Sequence, residues 1–330
     1  MKLVRKHPPA KAVVWGLKDY HERRNRVLVI RDVGGLGDIL MQRMMFESFK
    51  RVMPESHITW AIPKQYMDAA VNHPFVDEVV DCRLVNKNDY TIFYNITYAC
   101  GRYESAIAPR ADKHRSDIWS EHCGVILSRH DMHLKPSEED KEEARAIMRT
   151  KIANPNAPIL AFCPISAQIG KDLSGVVMQD VVMRTWQKGC NVICLHTKQI
   201  AEMTKIGCPV ISNLSIRQWM AALSVSDYVV SVDTAAFHCA GGLGKPLTGI
   251  FTYCDGKVYG KYFDFVLVQR HRDDGDWDCG PCFNWGMCSK DKSCQPIKPC
   301  AKEITGDLVM AGIERMMTKW PHENQGNRLS

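Results

Sequence analysis

A chain of 330 residues with 45% apolar content can bury two cores, so a single small domain is excluded and two domains are expected. No run of about eighteen apolar residues occurs, and the opening Met1-Lys2-Leu3-Val4-Arg5-Lys6-His7-Pro8-Pro9 lacks the apolar stretch of a secretory signal, which points to a cytoplasmic protein without a transmembrane segment. The net charge of +6 is unevenly placed: residues 1–31 hold nine Lys and Arg against Asp19 and Glu22, more than the whole excess. Such a basic lead either steers toward anionic surfaces or simply solubilises the N-terminus.

After that lead, Val27-Leu28-Val29-Ile30-Arg31 is a β-branched run that predicts a central strand, and Gly34-Gly35-Leu36-Gly37 lets the backbone turn sharply. Asp38 opens a helix whose apolar positions, Ile39, Leu40, Met44, Met45, Phe49 and Val52, recur at roughly helical spacing up to Pro54. Strands are predicted at 57–62, 76–81 and 91–96, with a short helix at 64–71. Strands alternating with helices imply βαβ units and a parallel sheet. The stretch that follows is polar, basic and aromatic, with Arg102, Tyr103, Arg110, Lys113, His114 and Arg115. Ser137-Glu138-Glu139-Asp140 is a helix start with acidic residues in its first turn.

Asn154-Pro155-Asn156-Ala157-Pro158 is the best linker candidate, dividing the chain into 1–154 and 155–330. A second set of units follows: strands at 159–163, 191–195, 209–211, 227–233 and 247–251, with helices at 173–188 and 215–223 between them. Lys302 to Met317 is amphipathic, and the tail after Pro321 is polar. Cys163, Cys194 and Cys239, three of fourteen cysteines, fall in apolar runs and behave as small hydrophobes, as reduced thiols of a cytoplasmic protein would. Cys279, Cys282, Cys288, Cys294 and Cys300 instead cluster. Any four of them could hold a structural zinc that pins a coreless loop, or the cluster stays reduced and unmetallated.

The stretch Val229-Val230-Ser231-Val232-Asp233-Thr234-Ala235-Ala236-Phe237-His238 carries the clearest chemistry. A buried strand turns at Asp233-Thr234 straight into a small-residue helix, which leaves free backbone N–H groups at the strand's carboxyl end, an anion socket. A plain strand–helix joint capped by Asp233 or Thr234 reads equally well from this stretch alone. Two Rossmann-like halves, a glycine-rich turn in the first and an anion socket in the second, are the α/β plan of a GT-B glycosyltransferase, two doubly wound domains facing across a cleft.

Three stretches in fixed order, 27–31 running to Leu36-Gly37-Asp38, His73-Pro74-Phe75-Val76-Asp77-Glu78-Val79, and Asp233-Thr234 to His238 with Leu243-Gly244-Lys245-Pro246, make the chain resemble the heptosyltransferases of glycosyltransferase family 9. The resemblance implies an inverting, metal-independent transfer from a nucleoside-diphosphate sugar to an anionic, lipopolysaccharide-type glycan. It implies an acceptor-binding first domain, a donor-binding second domain and a C-terminal helix that returns to the first. Asp38 then matches the general base, although an Asp after glycine is by itself commonly a helix cap. Lys171 matches a phosphate-binding lysine, with Ser166 within reach of the same oxygens. Thr234, Ala235 and Ala236 would complete the diphosphate cradle, while His238 would donate to a phosphate or merely pack. Two positions depart from the family pattern: Ala235 stands where glycine is common, and His196-Thr197-Lys198 where a glycine-containing turn is usual. The basic lead keeps a nucleic-acid acceptor open, as for phage enzymes that glycosylate modified DNA bases. A non-catalytic nucleotide-sugar or nucleic-acid binder on the same scaffold is the third reading.

Overall fold

The short apolar runs pair in parallel because each is followed by a helix, a 3₁₀ turn or a longer loop, and no tight hairpin connects them. The computed structural model describes residues 25–108, 111–167, 169–269 and 299–322. Within them, β1 (Arg26–Ile30), β2 (His57–Ile62), β3 (Glu78–Asp81) and β4 (Ile92–Asn95) form one sheet in the order β3-β2-β1-β4. The strands β5 (Ile159–Cys163), β6 (Asn191–Leu195), β7 (Val210–Ile211), β8 (Tyr228–Val232), β9 (Leu247–Phe251) and β10 (Val266–Gln269) form a second, ordered β10-β9-β8-β5-β6-β7. Pairing is parallel in both. The order reverses between β1 and β4 in the first sheet and between β5 and β8 in the second. In open α/β sheets, ligands sit beyond the carboxyl ends of strands at such reversals.

Val27, Leu28 and Val29 of β1 and every residue of β8 are buried, as expected of strands covered on both faces. Ser137, Ser174, Ser215 and Thr305 each accept a backbone N–H in the first turn of the helix they precede, so the starts of these helices are written in the sequence. One apolar cluster runs without a break from Val29, Ile39 and Phe46 of the first half to Ala236, Phe237 and Ala240 of the second.

Two expectations about the halves are corrected. The C-terminal helix, Gly306–Lys319, stays on the second sheet instead of returning to the first half: Val309, Met310, Ile313 and Met316 are buried with Val230, Val232, Ile250 and Val268. Gly312 permits this. A Cβ there would lie 2.2 Å from Val268 Cγ2, so only glycine lets the helix lie so close to β9 and β10. Burying four such side chains stabilises this half by about 1.5–3 kcal/mol each. The chain also crosses earlier than the Asn/Pro cluster, because the helix Glu138–Arg149 already packs on the second half's helix Ile216–Val225. Arg217 pairs with Asp140 at 3.1 Å, and Gln218 donates to Glu143 at 3.0 Å. The cluster itself is tied down by Asn191, whose amide donates to the carbonyls of Asn154 and Ala157. Among the described residues, no helix is long and apolar enough to cross a membrane.

Candidate active site

A cavity of about 920 Å³ opens between the halves, at the carboxyl ends of β1, β5 and β8. The glycine-rich turn after β1 forms its first wall. Gly34 adopts φ +125°, and a Cβ there would collide with the Arg31 guanidinium at 2.4 Å. Gly37 lies against the opposite half, where a Cβ would sit 3.1 Å from His238 Cδ2 and 3.5 Å from Ala235 Cα. Glycine here sets how closely the helix Leu36–Gln42 approaches the helix Ala235–Gly242.

The second wall is built at the carboxyl end of β8. Thr234 is extended and its hydroxyl makes no capping bond, so the first N–H groups of the helix Ala235–Gly242 face the cavity without a side-chain cap. Lys171 projects from a 3₁₀ turn, Ile169–Lys171, whose Gly170 carbonyl accepts from the Thr252 hydroxyl at 3.0 Å. Its ammonium stands 2.7 Å from Asp233 Oδ2 and 5.7 Å from the Tyr253 ring centre. Burial works against this charge, but Asp233, with Cys254 and Tyr253 adding to it, raises the lysine's pKa above the usual range. Burial likewise opposes the Asp233 carboxylate, and Lys171 and His238 hold its pKa low. His238 is buried; burial pulls its pKa down to about 4 against Asp233 and Asp38, so the ring is neutral at pH 7. Its Nε2 lies 3.9 Å from Asp233 Oδ1, and Nδ1 has no hydrogen-bond partner among the described residues.

Asp38 faces this wall from the first half, within the first turn of Leu36–Gln42. Arg31 donates to Oδ2 at 2.7 Å and Arg115 to Oδ1 at 2.7 Å. Burial alone would raise the pKa of Asp38, but the Arg115 and Arg31 guanidinium groups outweigh it and hold the carboxyl at about 2. Arg31 in turn lies over the Trp119 ring at 4.9 Å. Arg115 also grips the buried Glu104 with two bonds, of 2.8 and 3.0 Å. One wall therefore offers a fixed anionic oxygen pair, the other an ammonium and helix N–H groups. That is an arrangement for moving a group away from an anionic leaving group.

Comparison with known proteins bears on which group. Residues 120–272 match the model of glycosyltransferase family 9 (heptosyltransferase). The structure superposes on a family 9 glycosyl transferase from Veillonella parvula with a TM-score of 0.67 at 14% identity, covering 90% of this chain and 98% of that one. Over residues 120–272 the chain is thus heptosyltransferase-like. Its GT-B fold also matches the Escherichia coli ADP-heptose lipopolysaccharide heptosyltransferase II, with a TM-score of 0.65, 12% identity, and 89% and 99% of the two chains covered. The E. coli heptosyltransferase WaaC, solved with ADP-2-deoxy-2-fluoro heptose, aligns with a TM-score of 0.56 and 12% identity over 88% of this chain and 99% of that one. No curated protein matches the sequence.

In this chain Gly34, Gly35, Gly37, Asp38, Ser166, Lys171, Asp233, Thr234, Ala235, Ala236 and His238 all line the same cavity. Sequence reading thus assembled both walls. Of the cysteine cluster, Cys279, Cys282, Cys288 and Cys294 lie outside the described residues, and Cys300 is buried on the short helix Pro299–Lys302. Among the described residues, no group of His, Cys, Asp and Glu is arranged to hold a metal ion. Residues 1–24 of the basic lead are also outside them. Arg31, Arg115, Glu104 and Tyr259 were given no site role by the sequence. Arg31 follows a buried strand directly, and an arginine placed there at a strand's carboxyl end was the available signal.

Proposed function

We propose that the protein transfers a sugar, with inversion and without a metal, from a nucleoside-diphosphate sugar to a hydroxyl of an anionic, lipopolysaccharide-type glycan. The first half holds the acceptor and the second the donor. The observation that carries this reading is the opposition of Asp38 and the Lys171–helix cradle across one cavity. The donor diphosphate sits on the N–H groups of Ala235 and Ala236, with Ser166 and Thr234 hydroxyls within the same wall. Lys171 has three donors, so it can keep its bond to Asp233 and give the others to phosphate oxygens. The His238 ring, neutral and with Nδ1 unpartnered, supplies a further donor or acceptor there.

The acceptor oxygen forms its bond to the anomeric carbon from the face opposite the diphosphate, and the anomeric carbon–phosphate oxygen bond breaks. The acceptor proton passes to Asp38, and the negative charge goes to the nucleoside diphosphate. Asp38 Oδ1 accepts from the Arg115 guanidinium and retains a lone pair for the acceptor hydroxyl, whereas Oδ2 already accepts from both Arg31 and the Gly35 N–H. With its pKa near 2, Asp38 is a weak base, and it takes the proton only as the forming bond acidifies the hydroxyl. Lys171 and the helix N-terminus meet the leaving-group charge as it develops, the role a metal would otherwise fill. Of the two E. coli neighbours named above, one is an ADP-heptose heptosyltransferase and the other was solved with ADP-2-deoxy-2-fluoro heptose, so ADP-heptose is the first donor to try. The buried thiols Cys163, Cys194 and Cys239 support a cytoplasmic address.

The test is incubation with ADP-heptose and a truncated lipopolysaccharide core, with the product's anomeric configuration read by NMR. An inverted glycoside from the parent and none from Asp38→Asn is expected. Retained configuration, or full turnover by Asp38→Asn, would overturn the assignment of the base.

A further inference from the structure

Glu104 is a buried carboxylate that the proposed transfer does not use. It accepts two bonds from Arg115, the residue that also holds Asp38, and a third from the hydroxyl of Tyr259 at 3.2 Å. Tyr259 belongs to the second half, at the end of the short helix Gly256–Tyr259, and is itself buried with its ring 5.6 Å from the Arg115 guanidinium. A hydrogen-bonded chain therefore runs Tyr259, Glu104, Arg115, Asp38, from one half of the molecule to the carboxylate of the other.

The segment that carries Tyr259 has its other end beside the lysine of the opposite wall. Tyr253 lies next to Lys171, and the Gln269 side chain pins the intervening backbone, donating to the Cys254 carbonyl at 2.6 Å and accepting from the Gly256 N–H at 3.1 Å. Three residues beyond Tyr259, the Tyr262 hydroxyl donates to Asp117 of the first half at 2.6 Å, and its ring stacks on His130. The segment 253–262 is thus fixed at the lysine, at Glu104 and at Asp117.

We propose that Tyr259 and Glu104 are positioning residues for Asp38, through which the second half sets the geometry of the first half's carboxylate when the two halves are closed on each other. The inference rests on the reading of Asp38 as the general base. A planar guanidinium bridging two carboxylates has one low-energy orientation when both are held, and Tyr259 is what holds Glu104 from the far side. Without that hydroxyl, Glu104 loses one anchor, Arg115 gains freedom, and the Asp38 oxygen drifts from the line of attack. Positional error of about an ångström in a reacting group costs up to a hundredfold in rate.

The experiment compares the full chain carrying Tyr259→Phe, Glu104→Gln, both together, and Tyr262→Phe. Tyr259→Phe is expected to lower kcat about tenfold with the donor KM unchanged, and the double variant to be no slower than Glu104→Gln alone. Tyr262→Phe removes a hydroxyl from the same segment and another contact between the halves, and is expected to leave kcat within about twofold. Equal losses in the two tyrosine variants would mean that docking in general matters, and would overturn the relay. So would a double variant whose losses multiply. A second readout needs no activity: in a thermal-unfolding cycle, Tyr259→Phe and Asp38→Asn should depart from additivity by about 2 °C or more. Additivity there overturns the relay. Coupling in a parent that transfers no sugar upholds it while removing the transferase assignment of Asp38.

Discussion

Lys171 Nζ stands 2.7 Å from Asp233 Oδ2 in a wall where both side chains are largely buried. A buried pair of this kind is held in place by what its loss would strand, an uncompensated charge. Lys171→Ala is therefore expected to cost about 3 kcal/mol of stability as well as donor affinity. Adding Asp233→Asn should recover much of the stability and none of the affinity. Urea unfolding of the single and double variants, beside donor titration, separates the two effects.

Asp38→Asn keeps the shape of the side chain and removes its charge. If it is the base, kcat falls roughly 100- to 10,000-fold while donor affinity stays within about twofold, since the donor's diphosphate contacts lie on the opposite wall. Steady-state transfer rates with a donor-binding titration check this.

The two critical glycines predict different failures. Gly37→Ala places a methyl group 3.1 Å from His238 Cδ2 and 3.5 Å from the Ala235 backbone, so the second wall must move by a few tenths of an ångström. Donor KM should rise with a small loss of stability. Gly34→Ala forces an L residue to φ +125° and pushes on Arg31, which is expected to cost about 1–3 kcal/mol and to lower kcat as Arg31 leaves Asp38. Kinetics and melting of both variants distinguish the pattern.

Acid should destabilise the fold early. Burial holds His73 and His114 down to about 3 and His238 to about 4, below the ordinary 6.5. The unfolded chain then binds more protons than the folded one as pH drops below 6.5, so stability present above that value is lost toward pH 4. The loss reaches up to about 4 kcal/mol per pH unit for three such residues. Asp38 adds a later loss: its stabilisation is full above 3.8 and disappears as pH falls through about 2. Urea midpoints at pH 7.5, 6 and 5 should fall steadily; a flat profile would mean that these histidines are free to protonate in the folded state.

Much of this site was legible because its parts are local. Each wall is a strand, a turn of special residues and a helix start, and residues 27–38 and 229–238 spell both in order. What holds Asp38 was only partly legible: Arg31 is 7 residues away, but Arg115 is 77 away and Tyr259 is 155 from Glu104. Polar contacts of that span leave no period in the sequence. The helix Gly306–Lys319 shows the same limit. Its amphipathic spacing declares an apolar face but not which sheet receives it, and Gly312 against Val268 settles that only in three dimensions. The helix begun at Asp38 was read as continuous to Val52, yet it breaks at a 3₁₀ turn, Arg43–Met45, and Val52 ends up exposed. There the buried Arg43 side chain donates to the backbone carbonyls of Ala69, Met132 and His133, which no periodicity announces.

The central claim is a nucleoside-diphosphate sugar bound on the Lys171 wall. Thermal melting of the parent and of Lys171→Ala against a panel of ADP-, UDP-, GDP- and CDP-sugars tests it most directly, because a ligand bound only by the folded state raises the melting temperature. A rise with one nucleotide class, lost in Lys171→Ala, is expected. No rise with any of the four, or an equal rise in the variant, would contradict it.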